Sequence, residues 1–184
     1  EAPSLLPDGP NSGGEAKQYL DTVVNKIKPY IDDNYATNPG PSHTAISGSS
    51  LGGLVSIFAS YYYPEIFHRY IILSASFWYD GVIEYLQGQE IIRKGTSYKK
   101  PKINRENHGM YLYVGEREGI HRESVQKHMV DFTKKAYKEL IREGFSVENI
   151  LFEQNPEGTH DTYFFSMHFL RALQWLYAHK TIMV

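Results

Sequence analysis

The sequence predicts an α/β fold built on a mostly parallel sheet flanked by helices, and three observations carry that prediction. The runs Arg69 to Ala75, Met110 to Val114 and Ile150 to Gln154 are nearly continuous in apolar and β-branched residues, as expected of parallel strands buried on both faces. Helix-length apolar-periodic segments alternate with these runs, which is the order of βαβ units. From His43 to Tyr63 the chain reads as a strand, a glycine turn and a helix in direct succession.

Taken in chain order, residues 1 to 14 are rich in Pro, Gly and Ser and read as a loop. From Glu15 the pattern turns helical, with Leu20, Val23, Val24, Ile27 and Ile31 expected on one buried face, Pro29 marking a kink or the last turn, and an end near Asp32. A turn region from Asn34 to Ser42 leads into a short strand, His43 to Ser47. The glycine turn follows, and Leu54 to Tyr63 is a helix closed by Pro64. After the strand at Arg69, the polar and basic stretch from Asp80 to Asn107 departs from the alternation and is expected over the C-terminal edge of the sheet. Val125, Met129, Phe132, Ala136 and Leu140 share one face of a long amphipathic helix, with Gly144 as its cap. The last helix is expected over Thr162 to His179, with an apolar stripe of Phe165, Phe169, Leu173 and Leu176.

Composition narrows the function classes. The 184 residues are 41% hydrophobic and 22% charged, the balance of a single domain spanning 1–184 with a real core. A net charge of −2 from 19 basic and 21 acidic residues, evenly spread, offers no footprint for nucleic acid or an anionic membrane, so the expected partner is a small molecule. With no cysteine, a thiolate nucleophile, a disulfide and a cysteine-ligated metal are excluded. No apolar run approaches the roughly 18 residues of a membrane span, no signal segment is evident, and the compartment is left open.

Gly48-Ser49-Ser50-Leu51-Gly52 matches G-x-S-x-G, the turn in which a strand reverses sharply into a helix with a strained serine at its apex. Side chains two residues to either side of that serine are expected to collide, and glycine at both places removes the collision. Ser50 is then the candidate nucleophile, and the Leu51 N–H at the helix start is the candidate oxyanion donor. Ser49 lies one residue off the centre of the motif, and a glycine turn that merely binds phosphate or substrate is the bland alternative.

A serine needs a base to take its proton. Of eight histidines, His160 stands in the turn Asn155-Pro-Glu-Gly-Thr-His-Asp161, between the last predicted strand and the final helix. The orienting carboxylate is expected between Ser50 and His160 in the chain. Glu118, just after the Met110 to Val114 strand, is the first choice, with Glu116 next and Asp80 as an alternative after the preceding strand. Trp78 is a candidate lining residue for the acyl or leaving-group pocket. His121 and His128 stand seven apart and would share a helix face, but no carboxylate cluster joins them, so a solvated face is expected there rather than a metal site.

Gly48-Ser-Ser-Leu-Gly-Gly53, Gly115-Glu-Arg-Glu118, Gly158-Thr-His-Asp161 and the Tyr19 to Tyr35 run with its Lys-Pro-Tyr-Ile-Asp resemble an esterase family of the α/β-hydrolase fold. That family includes enterobactin and other siderophore esterases, S-formylglutathione hydrolase, feruloyl and acetylxylan esterases, and mycolyltransferases. The resemblance covers most of the chain, and its specific parts are the elbow and the histidine turn. It implies a triad of Ser50, Glu118 and His160, an oxyanion hole using the Leu51 N–H, a small-molecule ester as substrate, and an acyl-enzyme route without metal or organic cofactor. The Gly-x-Arg-Glu form is similar to the siderophore-esterase branch, which cleaves catecholate trilactones. Carbohydrate esterases and acyltransferases with the same triad, or a non-catalytic binding module of this fold, are the alternatives. Members of the family carry about four strands ahead of the first helix seen here, which also supply a second oxyanion N–H. This chain shows none of them, so a C-terminal portion of the fold is expected.

Overall fold

A computed structural model describes residues 14–93, 96–121, 123 and 125–178. Four strands, β1 (Ala45–Ser49), β2 (Arg69–Leu73), β5 (Gly109–Gly115) and β6 (Ile150–Asn155), form one wholly parallel sheet in that spatial order, and β3 (Ile91–Arg93) and β4 (Thr96–Tyr98) form a separate antiparallel pair. The three apolar runs became three of the sheet strands, each within two residues of the expected bounds. Their residues divide by alternation: Tyr70, Ile72, Met110 and Leu112 enter one core, and Ile71, Leu73, Tyr111 and Tyr113 the other. Burial on both faces of β2 and β5 explains why those two strands carry no polar alternation.

The larger core is closed by α1 (Ala16–Thr22), α3 (Leu51–Tyr62), α4 (Val82–Leu86) and α5 (Met129–Arg142); the smaller is closed by α6 (Thr162–Ala178). A π-helical segment, Val23–Ile27, joins α1 to α2 (Lys28–Asn34), so helical structure runs from Ala16 to Asn34. Pro29 has no N–H to donate, and the wider π segment just before it accommodates the lost bond. The expected buried face is realised only in its first half. Leu20 and Val24 are buried, whereas Ile27 and Ile31 are exposed, because α1 is the part that packs on α3.

Three other expectations are corrected. The strand after the turn begins at Ala45, since Pro41–His43 forms a 3-10 turn. His121 lies in a turn and His128 ends a 3-10 segment (Val125–His128), so the two share no helix face. Nor does the 80–107 excursion roof the sheet. It packs on the α3 and α5 layer, where Tyr85 meets Phe58 and Tyr61 edge-on and buried Arg105 donates to Ser60 O (2.6 Å), its guanidinium lying over the Tyr61 and Phe145 rings. Gly144, at φ 103°, follows α5 as a left-handed stop, as the glycine signal predicts. The 1–13 loop and His179 lie outside the described residues.

On α6 the buried stripe is His168, Ala172 and Leu176, and Phe169 of the expected stripe is exposed. His168 lies flat on Tyr113 (3.8 Å between ring centres), its Nδ1 is 2.7 Å from Tyr111 Oη, and Asn155 Nδ2 is 3.5 Å from its Nε2. Burial pushes its imidazole below the ordinary 6.5, outweighing the pull of Glu153, whose carboxylate is 3.4 Å away. The unfolded chain therefore takes up a proton below pH 6.5 that the folded chain resists, so stability is fully present above that pH and falls as the solution is acidified through the folded value. Urea denaturation at pH 7.5 and 5.0 should show this loss, and a smaller one in His168→Gln.

Candidate active site

At the junction of β1 and α3 the backbone of Ser50 has φ 55° and ψ −123°, a conformation costing on the order of 1–3 kcal/mol for a residue with a Cβ. It is held from both sides: Ser50 N–H donates to Leu73 O (3.0 Å), and Ser50 O accepts from Leu54 N–H (3.2 Å) and Ser76 N–H (3.1 Å). A Cβ at Gly48 would stand 2.2 Å from the Gly52 carbonyl, which confirms the expected collision on that side. On the other side the expectation is corrected, because a Cβ at Gly52 would meet nothing within 4 Å. The second tight position is Gly53, where a Cβ would come within 2.9 Å of Ala75 Cβ. Gly52 points outward from the first turn of the helix, whereas Gly53 faces the end of β2. Leu51 is the first residue of α3, so its N–H has no acceptor within the helix.

The second half of the site forms where the turn after β6 meets the turn after β5. Gly115 and Gly158 touch backbone to backbone: a Cβ on Gly115 would lie 2.3 Å from Gly158 O, and one on Gly158 would lie 2.6 Å from Gly115 Cα. Hydrogen bonds seal the contact, from Glu116 N–H to Asn155 O and from Arg117 N–H to Gly158 O, both 2.9 Å. This docking brings His160 Nδ1 to 2.8 Å from Glu118 Oε2. The Glu118 side chain is wholly buried, while that of His160 is 39% exposed. Glu118 Oε1 accepts the Gly115 N–H (2.8 Å) and the hydroxyl of Ser74. Of the three carboxylates the sequence left open, Glu118 is the one brought to His160; Glu116 and Asp80 are exposed.

With Nδ1–H directed at a carboxylate, His160 presents Nε2 as its acceptor nitrogen. The ring is braced edge-on by Phe165, at 5.1 Å and 88°. Asp161 starts α6 by accepting the N–H groups of Tyr163 (2.9 Å) and Phe164 (3.3 Å), and the Thr159 hydroxyl, donating to its other oxygen, holds its carboxyl below the ordinary range. Among the described residues no hydrogen bond joins His160 to Ser50, and Ser50 Oγ lies 3.4 Å from Ser76 Oγ. Trp78, half-buried, is two residues beyond Ser76 and leans on Tyr79 at 6.0 Å. A cavity of about 450 Å³ separates β1 from α6, lined in part by Ser49, Leu73, Phe165 and Leu170; Ser50, Glu118 and His160 are not in its walls.

Sequence reasoning missed Ser74 and Ser76, the serines on either side of Ala75 at the end of β2, one touching Glu118 and the other Ser50. Their only signal was two polar residues breaking an apolar run.

Comparison with known proteins gives one family model, described as "Putative esterase", that matches residues 6–176. The chain is 30% identical over 165 residues to the uncharacterized protein YbbA of Bacillus subtilis (strain 168), a match covering 90% of this chain and 61% of that protein. Among solved structures it is similar to the enterobactin esterase FES of Shigella flexneri, crystallised with 2,3-dihydroxy-N-benzoyl-glycine (TM-score 0.66, 19% identity, 88% of this chain and 39% of that one). A ferulic acid esterase is also similar (TM-score 0.61, 15% identity, 86% and 60%). The chain thus spans about three-fifths of the curated relative's length and two-fifths of the enterobactin esterase's.

Proposed function

The chain belongs to the Putative esterase family, and from that premise we propose that it hydrolyses carboxylic esters, with Ser50 as nucleophile, His160 as general base and Glu118 as the carboxylate that orients the imidazole. The observation that carries the reading is the pairing of a strained serine at a strand-to-helix turn with a histidine whose Nδ1 meets a buried carboxylate.

In the proposed cycle Ser50 Oγ attacks the ester carbonyl as its proton passes to His160 Nε2, and the oxyanion forms against the Leu51 N–H. His160 then protonates the departing alcohol, leaving the acyl group on Ser50. Water, deprotonated by His160, attacks that acyl group and releases the acid and the free serine. Glu118 keeps the imidazole oriented and stabilises its cation, and Trp78 lines the acyl or leaving-group side.

For the substrate, catecholate trilactones come first. The Gly115-Glu-Arg-Glu118 turn is similar to that of siderophore esterases, and an enterobactin esterase is among the proteins of like fold. Feruloyl esters come second, on the ferulic acid esterase likeness. A fluorophosphonate probe should label the wild type and leave Ser50→Ala unlabelled; equal labelling of both would sink the assignment. Enterobactin and a feruloyl ester, offered side by side to the labelled-competent protein, then rank the two substrate classes by kcat/KM.

A further inference from the structure

Two non-glycine residues among the described residues have positive φ, Ser50 (55°) and Ser74 (46°). Backbone in this region persists only where its surroundings over-determine it, and it gathers at functional sites. Ser50 has a role in the proposed cycle; Ser74 has none. Yet Ser74 is fully buried and its hydroxyl donates to the carboxylate that meets His160.

Resting on the reading of Ser50, Glu118 and His160 above, the geometry points to Ser74 as a positioning residue that holds the Glu118 carboxylate for His160 and ties it to the nucleophile's turn. The bonds divide the work between the two carboxylate oxygens: Oε2 takes the His160 Nδ1–H, and Oε1 takes the Gly115 N–H and the Ser74 O–H. The backbone around Ser74 bonds in two directions. Leu73 O and Ser76 N–H grip Ser50, while the Ser74 N–H donates to Tyr113 O (2.7 Å) on the strand that leads to Glu118. The segment Leu73 to Ser76 is therefore a short bridge between nucleophile and acid. Glycine at 74 would accept the φ without strain but supply no proton, and Oε1 would keep the Gly115 N–H alone.

The test compares wild type, Ser74→Ala, Ser74→Gly, Glu118→Ala and Ser74→Ala/Glu118→Ala. With p-nitrophenyl acetate, Ser74→Ala should lower kcat roughly 10-fold, the effect of one donor lost from a charged acceptor, with KM within about twofold. In the Glu118→Ala background the same change should have no further effect. Ser74→Gly should match Ser74→Ala, and it carries the test if the alanine variant fails to fold. An equal loss from Ser74→Ala in both backgrounds, or no loss in either, would overturn the proposal.

A second readout stands apart from turnover. In protein with ¹⁵N-labelled histidine, the His160 Nδ1–H proton should give a downfield resonance that vanishes in Glu118→Ala and shifts or broadens in Ser74→Ala and Ser74→Gly. If Ser50→Ala retained full ester turnover, the catalytic reading would fall, while the resonance would still report whether Ser74 holds the pair. A resonance unmoved in both Ser74 variants would reject the positioning role even in an active esterase.

Discussion

Ser50→Ala and His160→Ala are each expected to lower kcat for ester hydrolysis by about 10⁴- to 10⁶-fold, and the double variant by no more than the worse of the two. A serine hydroxyl is a poor nucleophile near neutral pH, so its attack depends on a base placed to take the proton as the bond forms. The imidazole in turn has nothing to activate once the hydroxyl is gone. Two groups that act as one unit therefore lose their joint effect when either is removed, and the logarithms of their losses do not add. What remains should be the rate supported by binding and the Leu51 N–H. Stopped and steady-state assays on the three variants measure this directly. Fully additive losses would mean that the two residues work independently, contrary to the proposed cycle.

Gly158→Ala is expected to lower kcat about 100-fold and stability by roughly 1–3 kcal/mol, although residue 158 carries no chemistry. Its Cβ would stand 2.4 Å from Tyr113 Oη and 2.6 Å from Gly115 Cα. Neither neighbour can retreat. The first belongs to a fully buried ring stacked on His168, and the second is strand-end backbone inside a parallel sheet. The turn would have to lift from β5, carrying His160 away from Glu118, and a shift of about 1 Å suffices for a loss of that size. The neighbouring Glu157→Ala is the control: its pair with Arg117 (2.7 Å) is exposed on both sides and contributes little, so kcat should stay within about twofold. Kinetics and urea denaturation on both variants separate a displaced base from general damage.

Legibility in the sequence followed the range over which each feature is encoded. The strands at 69–73 and 109–115 were visible because burial on both faces writes a nearly unbroken apolar run within a few residues, and the one at 150–155 by its apolar start, Ile150 to Phe152. The turn at Ser50 was visible because one steric problem, the approach of residue 48 to the helix start, leaves glycine as the answer. The stripe on α6 was misread where a polar residue, His168, is buried through partners on two strands that no local pattern names. The 80–107 segment escaped for a similar reason: Arg105 looks like a surface residue until the rings of Tyr61 and Phe145 enclose it.

From the sequence alone followed the element types and their order, the family resemblance, and Ser50 and His160 as the residues to watch, since each rests on patterns within one contiguous stretch of chain or on the order of such stretches. Which carboxylate reaches the histidine, that Gly53 rather than Gly52 is the second crowded glycine, and that Ser74 touches the acid were decided by the tertiary structure. Those facts depend on contacts across 42 positions from Glu118 to His160 and 44 from Ser74 to Glu118, made when parallel strands set their C-terminal turns side by side. Local propensity carries no information about such pairings, because they arise from sheet register and from backbones that close to contact only where glycine leaves room.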